Sequence, residues 1–60
     1  MTLAQIFQVR QYMERVAHEF RTATALAEHT AQVFKLESEL DDEDSPLWEI
    51  AYSCIQEVGP

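Results

Sequence analysis

From Leu3 to Leu40 the chain holds neither glycine nor proline, and apolar residues recur through it in steps of three and four. Ile6, Val9, Met13, Val16, Phe20, Ala23, Ala27, Thr30 and Phe34 follow that rhythm, and all but Thr30 are apolar. Such spacing lines one face of an α-helix, and when sustained it is the pattern of a heptad seam. Leu3, Tyr12, Ala17, Leu26, Ala31 and Val33 flank the seam and widen it towards a bundle-like face. The opposite side, with Gln8, Gln11, Glu14, Arg15, His18, Arg21, Thr22, Glu28, His29, Gln32 and Lys35, is polar; Phe7 and Leu36 are the exceptions. Good helix formers dominate the stretch, and Thr2 with Gln5 three residues on makes a capping box at its start. The spacing predicts one helix from about residue 3 to about residue 38. Thr22, Thr24 and Thr30 weaken it enough to allow a bend near the middle.

Asp41, Asp42, Glu43 and Asp44 then form a connection that belongs in water, because adjacent acids repel and are costly to bury. Ser45-Pro46 announces a second helix, with serine as N-cap and proline where a missing N–H costs nothing. Leu47, Trp48, Ala51, Tyr52, Cys54, Ile55 and Val58 share one face of it, and Gly59-Pro60 closes it. The expected fold is all-α: a single helical-hairpin domain over 1–60, with the acidic turn at 41–44 and a short helix at about 46–58. Its core would join Ala23, Ala27, Ala31 and Phe34 to Leu47, Trp48, Ala51, Tyr52 and Ile55.

The two helices do not match in length. At 1.5 Å per residue the first would run roughly 54 Å and the second about 20 Å. The N-terminal half of the long helix, with Ile6, Phe7, Val9, Met13, Val16 and Phe20, then lacks a cover in its own chain. Each such side chain forfeits roughly 1.5–3 kcal/mol if left in water. A second copy is the simplest cover, so these six residues are the expected dimer or partner interface, pairing hairpins into a helical bundle; a dedicated partner helix and a sharply bent three-helix monomer are the alternatives.

Charge is as unevenly spread as length. Residues 1–35 carry four bases against three acids, whereas residues 36–60 carry eight acids and no base. Glu37, Glu39, Asp41, Asp42, Glu43 and Asp44 form an acidic patch at the hairpin's turn end. A net charge of −7 and a pI near 4.4 disfavour direct nucleic-acid binding, which needs Lys and Arg to displace counterions. With 47% apolar residues the chain is no disordered acidic tail. A lone cysteine, no visible export signal and no long apolar run point to a cytoplasmic protein without a membrane segment.

No catalytic constellation stands out. His18 and His29 are eleven residues apart, about 16 Å on one helix, and read as surface residues rather than metal ligands. Cys54 reads as a small core residue in acid-rich surroundings that do not favour a thiolate. No Gly-rich phosphate loop, nucleophile elbow, metal motif or calcium loop occurs, so neither an enzyme nor a cofactor is expected. The expected function is regulatory protein–protein binding, as an adaptor, inhibitor or anti-activator acting through the apolar stripe on a protein partner, a basic one where the acidic turn also docks. The alternatives are a nucleic-acid mimic that blocks a DNA- or RNA-binding protein through the acidic cluster 37–44, and a structural subunit of a larger complex.

Overall fold

A computed structural model describes residues 1–58. It is all-helical, with three helices: α1 over Leu3–Val16, α2 over Ala23–Phe34 and α3 over Pro46–Val58. Single 3-10 segments, Ala17–Glu19 and Glu37–Asp41, lie in the two connections. The expected helix stop at Gly59-Pro60 lies outside the described residues.

The single helix to residue 38 is therefore replaced by two. α1 begins as expected: Thr2 Oγ1 accepts from Gln5 N, and the Gln5 side chain accepts from Thr2 N. It ends at Val16, and after the 3-10 turn Phe20 is fully extended (φ −122°, ψ 143°). Thr22 then caps α2, its hydroxyl accepting from Ala25 N at 3.2 Å. The principal extents, 30 × 21 × 18 Å, leave no room for a rod of roughly 54 Å. Instead the three helices measure about 21, 18 and 20 Å, and every pair of them is in contact. A chain of matched helices covers its own apolar faces, which removes the length mismatch.

The core shows the same correction residue by residue. Val9 and Met13, expected at a dimer interface, have no exposed surface and join Leu26, Leu47, Ile50 and the small residues Ala17, Ala23, Ala27, Ala31, Ala51 and Cys54. Ile6, Val16 and Phe20 are half-buried against that cluster, and only Phe7 of the six remains exposed. No second copy is needed to cover Val9 and Met13, because α3 and α2 supply the cover. Of the expected hairpin core, Ala23, Ala27, Ala31, Leu47 and Ala51 are buried, and Phe34, Trp48 and Ile55 pack at its edge. Tyr52 does not belong to it: the residue is 56% exposed. Thr30, the polar member of the seam, is fully buried and answers its hydroxyl by donating to Leu26 O at 2.8 Å.

α2 stops without glycine. Lys35 adopts the left-handed conformation (φ 59°, ψ 44°), Leu36 N donates to Ala31 O, and Lys35 N donates to Gln32 O. This is a Schellman closure, with Leu36 folding back onto the core as its apolar contact. The chain then winds through the 3-10 segment, so part of the expected solvated turn is helical.

Candidate functional site

The second connection and α3 together build a concavity on the described surface. An open groove of about 440 Å³ is lined by Thr24 of α2, Leu40 of the 3-10 segment, Glu43 of the loop, and Trp48 and Tyr52 of α3. Trp48 and Tyr52 are four residues apart and so stand one turn above the other on the same helical face. Trp48 is half-buried, and its indole Nε1 donates to Leu40 O at 3.3 Å, fastening the connection to α3. Tyr52 leaves more than half its surface in water.

Local hydrogen bonds hold the acidic segment in place. Ser45 caps α3 by accepting from Leu47 N at 3.2 Å, and its hydroxyl donates to Glu39 Oε1 at 2.6 Å. Asp42 Oδ1 accepts from Asp44 N in a local turn. Glu39 is therefore half-buried and committed, whereas Glu37, Asp41, Asp42, Glu43 and Asp44 are exposed. The expected patch divides: Glu43 lines the groove, and Glu39 serves the fold.

A separate aromatic cluster joins α1 to α2. Tyr12 Oη and His29 Nε2 share a hydrogen bond of 2.7 Å, their rings stack at 5.8 Å, and Phe34 and Phe20 pack edgewise or tilted about them. His29 is consequently half-buried and bonded, not the surface residue its polar surroundings in the sequence imply; His18 is exposed. The two histidines and the acids do not converge: among the described residues no three His, Cys, Asp or Glu side chains could hold one metal ion. A shallower depression, about 280 Å³, lies beside Tyr12 and Phe34, with Gln8, Gln11 and Arg15.

No family model, curated protein or solved structure matches this chain.

Cys54 is buried against the core. Burial pushes its thiol above the ordinary range, Glu14 and Glu57 add to the rise, and Arg10 opposes it. A thiol held protonated is a poor nucleophile. No helix is long and apolar enough to cross a membrane among the described residues. Large apolar side chains also remain in water outside the groove: Leu3 (71% exposed) and Phe7 (60%) on α1, and Val33 on α2.

Sequence reasoning placed Trp48 and Tyr52 on one face but assigned both to the core. It missed Thr24 and Leu40 as groove walls, and the Tyr12–His29 pair. Leu40, a lone large apolar residue directly before four acids, was the available signal for a contact that anchors the loop. The Tyr12–His29 bond spans seventeen residues and depends on the break between α1 and α2, so no local signal existed for it.

Proposed function

We propose that the chain is a small protein-binding module of the regulatory kind, an adaptor or inhibitor, whose partner-binding site is the groove of Trp48, Tyr52, Leu40 and Glu43. One observation carries this reading: a half-exposed aromatic wall stands directly beside an acidic connection that the fold holds in place. Tyrosine and tryptophan bring large contact area at low entropic cost and dominate binding hot spots. The acids add long-range steering and partner selection more than affinity. The binding surface thus moves from the N-terminal stripe to the junction of α2 and α3. Self-association through Ile6, Phe7, Val9, Met13, Val16 and Phe20 loses its support, since Val9 and Met13 are buried within the chain, Ile6, Val16 and Phe20 are half-buried against its core, and only Phe7 is exposed.

A random-peptide display selection against the intact protein tests the reading. Selected peptides are expected to lose binding to Tyr52→Ala and to keep it with Phe7→Ala. Peptides indifferent to Tyr52 but abolished by Phe7→Ala would move the site to α1 and overturn the proposal. The exposed row Glu37, Asp41, Asp42, Glu43 and Asp44 favours a second reading, imitation of nucleic-acid phosphates. Under it, neutralising Asp41, Asp42, Glu43 and Asp44 together removes partner binding and Tyr52→Ala leaves it intact; the groove reading expects the reverse ranking.

A further inference from the structure

We infer that the groove is a receptor for a cation, and that its occupant is an arginine side chain of a partner protein, held between the aromatic residues Trp48 and Tyr52 and the carboxylate of Glu43. The inference rests on the groove reading above and names the chemistry of what enters it. Charge complementarity selects the occupant. The groove takes four of its five lining residues from the stretch 36–52, which contains seven acids and no base. The chain's own cations, Arg10, Arg15, Arg21 and Lys35, are not among the lining residues. The field at the groove therefore repels anions and concentrates cations.

The short-range chemistry agrees with the field. A guanidinium stacks on indole and phenol faces, and tryptophan is the strongest partner for a cation. Glu43 offers the planar carboxylate that a guanidinium meets with two parallel hydrogen bonds. Glu43 is the one charged group of the lining: the Trp48 N–H is already given to Leu40 O, and the Thr24 and Tyr52 hydroxyls are neutral. A purely apolar anchor fits less well, because filling the groove with it would strip water from Glu43 without returning a partner. The volume of about 440 Å³ is ample for one long side chain and too open to enclose a free small molecule.

Trp48 is the protein's single tryptophan, so its fluorescence reports on the groove itself. The probe is a blocked peptide, acetyl-Ala-Arg-Leu-Ala-amide, titrated into the intact protein beside the same peptide with glutamine in place of arginine. The arginine peptide is expected to shift Trp48 emission saturably, with affinity in the millimolar range that falls as salt rises. The glutamine peptide should bind at least about fivefold more weakly, and Glu43→Gln should weaken the arginine peptide by about five- to tenfold. Tyr52→Ala should weaken it about threefold, with circular dichroism checking that this exposed position leaves the helices intact. Glu57→Gln, an equal charge change outside the groove, should stay within about twofold. Equal binding of both peptides, with sensitivity to Tyr52→Ala, would overturn the arginine assignment while leaving a protein-binding groove. No response to either peptide at about 10 mM, or none to Glu43→Gln, overturns it as well, and the display selection then decides the broader reading independently.

Discussion

The two connections of this protein turn the chain by different means. The second, from Lys35 to Ser45, is written in its residues: four adjacent acids, then a serine that caps and a proline that starts α3. The first, from Ala17 to Thr22, contains no glycine, proline, asparagine or aspartate, and its residues continue the apolar rhythm of the helices on either side. One turn follows from local chemistry. The other exists because folding α1 back buries Val9 and Met13 against α2 and α3, which outweighs the few helical hydrogen bonds lost at the break. Thr22 recovers part of that loss as a cap. A turn of the local kind is plain in the sequence, whereas for the other kind Thr22 and Thr24 only allow a bend without requiring it.

The largest expected effect tests the burial-driven turn. Met13→Ala should lower unfolding free energy by about 2–5 kcal/mol, the range for a large buried side chain, while Phe7→Ala should stay within about 0.5 kcal/mol. Urea denaturation of both variants checks this; equal losses would mean that α1 is not folded onto the core. Next come the caps. Ser45→Ala removes the bond to Leu47 N and leaves Glu39 without its hydroxyl donor, so it should cost about 1–2 kcal/mol. Thr22→Ala removes one exposed cap bond and should cost about 0.5–1 kcal/mol. A larger loss at Thr22 than at Ser45 would reverse the contrast, making local chemistry the cause of the first turn.

Lys35 offers a gain rather than a loss. Its left-handed backbone is strained for a residue with a Cβ, so Lys35→Gly should raise stability by about 0.5–1 kcal/mol in thermal unfolding. The smallest effect concerns pH. The native Cys54 thiol titrates above its unfolded value, so its contribution is whole below the ordinary thiol pKa of about 8.5 and declines as pH rises through the native one. The stability difference between the parent and Cys54→Ala should therefore narrow as pH is raised from about 8 to 10. A widening gap would mean that the thiolate, not the thiol, is favoured in the folded protein.

The groove lies where the two kinds of information meet. Trp48 and Tyr52 could be placed on one helical face from spacing alone, and the acidity of their neighbourhood from counting. Whether that face looks into the core or out of it could not. A long first helix would have needed both aromatics as its lid. Once α1 folds back, Val9, Met13 and Leu26 fill the space beside Leu47 and Ala51, and Tyr52 is left to the solvent.

Local residue chemistry determined what depends on near neighbours: an all-helical chain, the Thr2–Gln5 box, the start of α3 at Ser45-Pro46 and the acid-rich end. The tertiary structure alone decided the number of helices, the burial of the seam within one chain, the Tyr12–His29 bond and the exposure of Tyr52. The physical reason is one of phase. A period of three and four residues records which side of a helix is apolar, and it reads the same whether the helix runs on or breaks and returns in register. Only the competition between covering that side with the chain itself and extending it into water separates the two.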